Sequence, residues 1–232
     1  MRKLGLIGGM SWAATEEYYR LINRGLQRRV SATCSAPLLI ESLNNCDLSR
    51  LSTEEQWAHA AEALSASAQR LEAAGASAIM ISANSMYRVA DAIQAAISVP
   101  LIHIIDETGE KLSADGIKAV AIIGTRNVMA ERWYRQRMVS QGVTLSPFDE
   151  SRVEAIDNII YDELMQGKVT EASRRAMRGF ITDIAKQEID AIVLACTELT
   201  MIVDRDANVL PIYDTTRIHA EAGVDWILGD AP

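Results

Sequence analysis

The sequence predicts an α/β protein built as two related domains, each a parallel sheet with helices on both faces. Three observations predict it. Short, wholly apolar segments alternate with stretches of helical periodicity along the chain, as expected for parallel strands joined by crossover helices. The pattern restarts at mid-chain. The 232 residues are 49% apolar and 23% charged, enough to bury a substantial core in one large or two small domains.

The first strand is expected over residues 3–7, closed by a Gly8-Gly9 turn and followed by a helix over 12–29. The spacing of Gly5, Gly8 and Gly9 does not fit G-x-G-x-x-G and no G-K-[ST] follows, which disfavours nucleotide binding. Residues 37–41 read as a second strand leading into a polar loop over 42–50. Ser52-Thr53-Glu54-Glu55 has the form of a capping box with Ser52 as N-cap. Trp57, Ala60, Ala61, Leu64, Ala68 and Leu71 then recur at helical spacing, until Gly75 ends the helix. A third strand over 77–82 runs into A-N-S-M-Y and a helix over 88–97, and a fourth covers 99–103.

The second half opens with a strand over 117–123 ending at Gly124-Thr125 and a helix over 128–141. Helices over 152–165 and 169–187 follow, separated by Gly167-Lys168. A strand over 191–195, a short helix from Thr197, a strand over 210–213 and a helix over 215–228 complete the chain. The restart is an internal repeat: K-L-G-L-I-G matches K-A-V-A-I-I-G, S-A-I-M-I-S-A-N-S matches D-A-I-V-L-A-C-T-E, and V-P-L-I-H matches V-L-P-I-Y. Gly8 precedes Ala83 by 75 positions and Gly124 precedes Cys196 by 72, so the duplication equates Ala83 with Cys196. Residues 1–103 with 210–232 are expected to form one domain and 104–209 the other. Ligands of open parallel sheets sit outside the carboxyl ends of the strands. That rule places Gly8 to Trp12, Ala83 to Met86, Gly124 to Asn127 and Cys196 to Glu198 around one cleft between the domains.

Cys196 is the first candidate for chemistry. It stands where a buried strand gives way to a helix start, and unpaired N–H groups there are expected to lower its thiol pKa. The competing reading is a small core hydrophobe. A net charge of -8 argues against a nucleic-acid or anionic-membrane surface. Cys34, Cys46 and Cys196 are odd in number and lack CxxC, which points away from a disulfide framework or zinc cluster and towards a reducing cytoplasm. No run has the form of a signal peptide or a membrane span. His59, His103 and His219 have no H-x-x-x-H spacing, so no metal is expected, and His219 reads as structural. Trp12, Trp57, Trp133 and Trp226 read as core or dimer contacts.

The motifs L-G-L-I-G-G-M-S-W, N-S-M-Y-R-V-A-D-A-I, I-G-T-R, G-K-V-T-E-A-S, A-C-T-E-L and D-T-T-R-I-H together resemble the aspartate/glutamate racemase family of cofactor-independent amino-acid racemases. The match runs across nearly the whole chain. The resemblance implies two Rossmann-like domains related by pseudo-twofold symmetry, with the active site in the interdomain cleft. It also implies a homodimer, a dicarboxylic amino acid as substrate, and neither pyridoxal phosphate nor metal. One cysteine from each domain would then stand on opposite faces of the substrate Cα. Here Cys196 fills one position and Ala83 the other, where the family typically reads C-N-T-x-H, and alanine transfers no proton. By the same resemblance Met10, Ser11, Asn84, Ser85, Thr197 and Glu198 hold the α-carboxylate and amine, and Thr125 lines the cleft. Lys168 matches a lysine turned to the substrate, against a solvated charge, and Arg50 a side-chain carboxylate partner, against an exposed arginine. Three readings follow: a racemase or epimerase in which water or a serine serves the Ala83 side, a one-thiol enzyme like the related arylmalonate decarboxylases, or a catalytically silent amino-acid-binding protein. The first is preferred because the other substrate-side motifs are intact.

Overall fold

The computed structural model describes residues 1–204 and 208–229. The chain divides into two compact units, residues 1–104 with 219–232 and residues 105–218.

In the first unit, β1 (Leu4–Gly8) leads into α1 (Trp12–Arg29), β2 (Leu38–Ser42), α2 (Glu54–Ala73), β3 (Ala78–Ile81) and α3 (Ala90–Ala96). The sheet is parallel in the order β2-β1-β3, with Leu4 opposite Leu38 and Ala78. Leu101 adds only an isolated bridge to Ile79. The fourth strand expected over 99–103 is reduced to that bridge because Pro100 has no N–H to donate and a helix begins at Ile104. The N-cap of α2 is Thr53 rather than Ser52. Its side chain accepts from the Gln56 N–H, and the Gln56 side chain accepts from the Thr53 N–H, one register on from the box read in the sequence. The stretch expected as one helix over 88–97 begins instead with a 3₁₀ segment, Asn84–Val89.

In the second unit α4 (Ile104–Ala114), a helix absent from the sequence reading, is followed by β4 (Ala119–Gly124), α5 (Arg126–Met129) and α6 (Arg132–Ser140). Next come β5 (Thr144–Leu145), α7 (Glu150–Asn158), α8 (Glu171–Ile184), β6 (Ala191–Ala195) and β7 (Ile212–Asp214). The parallel order is β5-β4-β6-β7. The helix expected over 152–165 passes through a π segment, Ile159–Glu163, and a 3₁₀ turn, Leu164–Gln166. Because β7 pairs with β6, residues 210–218 belong to the second sheet's unit rather than to the first. The last helix, α9 (Thr215–Leu228), gives Ala220, Val224 and Ile227 to the first unit's core beside Leu4, Tyr18, Ile22 and Met80.

Both sheets follow one plan. In each, the first strand lies between the second and the third, and the third continues to a proline-bearing segment. Ile79 N–H donates to Pro100 O at 2.9 Å, and Ile192 N–H to Pro211 O at 2.9 Å. Ala83 has φ -149 and ψ 119, and Cys196 has φ -156 and ψ 125, each starting a 3₁₀ segment. The alanine and the cysteine therefore occupy the same backbone position in two copies of one motif.

Candidate active site

β6 is buried along its whole length between β4 and β7, and its five apolar residues fix the point at which the chain emerges. Burying Ile192, Val193 and Leu194 contributes about 1.5–3 kcal/mol each. Cys196 leaves the strand extended and starts the 3₁₀ segment Thr197–Met201 without using its side chain as a cap. Its Sγ donates instead to Glu198 Oε2 at 3.2 Å. Both residues are 7% exposed. Cys196 thus belongs to the core cluster with Ile192, Leu194 and Leu199, and also presents a hydrogen-bonded thiol.

The thiol pKa lies well above its ordinary value, the reverse of the sequence expectation. Burial is the largest cause, and the Glu198 carboxylate opposes a second negative charge beside it. The backbone N–H groups of Glu198 and Leu199 do favour the thiolate, but two amides of one short 3₁₀ turn are outweighed. The resting pair is therefore a thiol and a carboxylate acceptor. The second carboxylate oxygen, Glu198 Oε1, is buried with no hydrogen-bond partner. An unsatisfied buried carboxylate oxygen is costly unless a ligand donates to it.

Gly124 is paired with Ala195, so Thr125 follows β4 where Cys196 follows β6. A Cβ on Gly124 would lie 2.9 Å from Ala195 O, which explains glycine at this close approach. The Thr125 carbonyl accepts from the Val128 and Met129 N–H groups, while its buried Oγ1 has no partner. Two neighbouring strand ends thus each carry an uncommitted polar atom. Thr197 Oγ1 lies 3.0 Å from Thr216 Oγ1, and Thr215 Oγ1 donates to Leu194 O at 3.1 Å. Thr215 and Thr216 went unassigned in the sequence reading, although D-T-T-R-I-H contained them. Lys168 is exposed and its Nζ donates to Gln166 Oε1 at 2.8 Å. The turn Leu164–Gln166 packs on Thr197–Met201, which sets the Lys168 loop beside the Cys196 loop.

In the first unit, Gly9 has φ 89, and a Cβ there would meet Leu43 O at 2.0 Å. Met10 is buried, and Ser11 is the N-cap of α1, accepting from Ala14 N–H at 3.3 Å. Thr15, unmarked in the sequence, accepts from Gly9 N–H at 2.9 Å, donates to Ser11 O at 3.0 Å and lies 3.3 Å from Ser82 Oγ. The β1 and β3 loops are joined through it. Ala83 and Ser85 are half-buried and Asn84 is buried. Arg50 is exposed and has φ 51, the left-handed region uncommon for a side-chain-bearing residue. His219 is fully buried: Nδ1 lies 2.9 Å from Tyr18 Oη and Nε2 lies 2.9 Å from Ile102 O. Burial lowers its pKa to about 3, which keeps it a neutral structural link.

The family model for Asp/Glu/hydantoin racemases matches residues 7–223. The broad specificity amino-acid racemase RacX of Bacillus subtilis (strain 168) is 26% identical over 161 residues, 69% of each chain. A protein from Yersinia pestis assigned to the Asp/Glu racemases has a crystal structure with a TM-score of 0.91 and 38% identity, over 98% of this chain and 100% of that one. An aspartate racemase homologue from Pyrococcus horikoshii OT3 gives 0.84 and 25%, over 98% and 100%. The chain belongs to the Asp/Glu/hydantoin racemase family.

Proposed function

We propose that the chain is a cofactor-independent amino-acid racemase for dicarboxylic amino acids, in which Cys196 exchanges the proton on the substrate Cα. The observation that carries this reading is the 3.2 Å hydrogen bond from the Cys196 thiol to the buried Glu198 carboxylate. As an acid, the thiol gives its proton to a Cα carbanion. As a base, it first passes that proton to Glu198, and the thiolate then takes the proton from Cα. Passing the proton to Glu198 leaves the pair with the one proton it started with, taking the Cα proton gives it a second, and giving a proton to the carbanion removes one. A positioned acid or base of this kind is worth about 10²–10⁴-fold in rate.

Ala83 supplies no proton, and Ser82 is buried against Thr15, so water serves the opposite face of Cα. The exchange is therefore faster than full inversion. Glu198 Oε1 favours an α-ammonium donor, and Thr125, Thr197, Asn84, Ser85, Met10 and Ser11 hold the rest of the amino acid, with Lys168 and Arg50 at more exposed positions. The buried carboxylate also weighs against the decarboxylase reading, because a malonate adds two negative charges without an ammonium to donate to Glu198 Oε1. No helix among the described residues is long and apolar enough to cross a membrane. We place the enzyme in the cytoplasm on its three free thiols, and as a homodimer on the exposed Trp12 and Tyr19 of α1, which share one face.

Incubating L- and D-aspartate and glutamate in D₂O tests this reading, with Cα deuterium and optical rotation followed together. Deuterium uptake that Cys196→Ser abolishes is expected. Uptake that survives this change removes Cys196 from the mechanism. Binding without exchange leaves a silent binding protein, and decarboxylation of an arylmalonate selects the one-thiol alternative.

A further inference from the structure

The second unit holds a cavity of about 280 Å³ that no residue of the Cys196 loop lines, on the face of β4 covered by α7 and α8. Both phenylalanines of the chain, Phe148 and Phe180, line it, over a floor that includes Ile123, Val153 and Ile156. Arg135 stands in its wall. The Arg135 guanidinium donates to Ser146 O at 2.9 Å and Met129 O at 3.2 Å, and lies 5.2 Å from the Phe148 ring centroid. No carboxylate among the described residues forms an ion pair with it.

Each neighbouring charge is already engaged. Arg152 is held by Asp183 at 3.0 Å and lies 3.8 Å from Asp149, whose carboxylate also accepts from Ser151 N–H and Oγ. Gln187, an exposed lining residue, spends its carbonyl oxygen on Ser146 Oγ at 2.8 Å, which leaves its amide N–H groups for a ligand. A half-buried cation without a counter-ion, beside exposed aromatic surface, complements a ligand that joins an anion to an apolar body. Burial lowers the pKa of this guanidinium, the desolvation that a bound anion offsets.

We propose that this cavity binds a small amphipathic carboxylate, its anionic end on Arg135 and Gln187 and its apolar body between Phe148, Phe180 and Ile156. The site is separate from the racemase chemistry and does not depend on that reading.

The test is a titration of ¹⁵N-labelled protein with sodium phenylacetate, phenylacetamide and sodium acetate at constant ionic strength. Phenylacetate should give saturable shifts centred on the lining residues. Phenylacetamide, which lacks the charge, and acetate, which lacks the ring, should each bind at least tenfold more weakly. Arg135→Met and the cavity-filling Ile184→Trp should each weaken phenylacetate by tenfold or more. If Arg135→Met does not fold, because its two carbonyl partners lose their donor, Ile184→Trp decides alone. Absence of saturable shifts, equal binding of the amide, or binding undiminished by the folded variants overturns the proposal.

Discussion

At Cys196 two effects with opposite signs act on one sulfur, and Glu198 is responsible for part of each. Beside burial, its carboxylate helps to hold the thiol protonated by charge repulsion, yet it also accepts the thiol's hydrogen bond, which in the proposed mechanism makes it the acceptor through which the thiol becomes a base. Replacing Glu198 by Gln separates the two. The thiol pKa should fall, read as a downward move in the pH midpoint of iodoacetamide alkylation. Cα deuterium exchange should fall at the same time by about 10²-fold or more. Exchange that rises along with thiol reactivity would show that Glu198 only restrains the cysteine. His219 gives a second residue-scale prediction. Its folded pKa of about 3 lies below the ordinary 6.5, so the unfolded chain binds the extra proton in that window. Its contribution to stability is complete above pH 6.5 and lost as pH falls towards 3, with a slope approaching about 1.4 kcal/mol per pH unit. Urea unfolding between pH 7 and 4 should show that slope reduced in His219→Gln, whatever the variant's stability at pH 7.

The elements are fixed by their ends as much as by their faces. The start of α2 rests on the reciprocal Thr53–Gln56 bonds, so Thr53→Ala should cost about 1 kcal/mol and Ser52→Ala only a few tenths. Equal losses in chemical unfolding would put the cap back at Ser52. Much at this scale was legible in the sequence: strands β1, β3, β4 and β6 are wholly apolar runs, and α9 was read with its observed bounds. What was not legible has physical causes. Ile104 and Ile105 continue the apolar run of the preceding segment and hide the start of α4, and β5 is two residues long, too short to show a period. The capping box was misread by one register because Ser52 and Thr53 are both good caps, and only the backbone tells them apart. At the site, Cys196 and Ala83 were marked by the repeat. The raised thiol pKa was not, since it depends on burial and on the direction of the Glu198 side chain.

Across the whole chain the duplication is the organising fact, and Ala83 of one copy stands at the backbone position of Cys196 in the other. The two sheets share strand order, the proline-carbonyl hydrogen bond and the backbone angles of Ala83 and Cys196. Their chemical equipment differs. Cys196 has Glu198 two residues on, whereas the corresponding residue after Ala83 is Ser85, which is neither a strong proton acceptor nor charged. A thiol introduced by Ala83→Cys would meet no carboxylate from its own loop, and its pKa would lack the upward push that Glu198 gives Cys196. The variant should therefore raise the rate of optical inversion relative to Cα deuterium exchange. The gain should be largest above pH 8, where a free thiol of ordinary pKa ionises. Following both rates for aspartate and glutamate in D₂O, in the parent and in Ala83→Cys, measures this directly. An unchanged ratio at every pH, in a variant whose new thiol is shown to be alkylated, would mean that the equivalence of the two positions is one of backbone only and that the Ala83 loop takes no part in proton transfer.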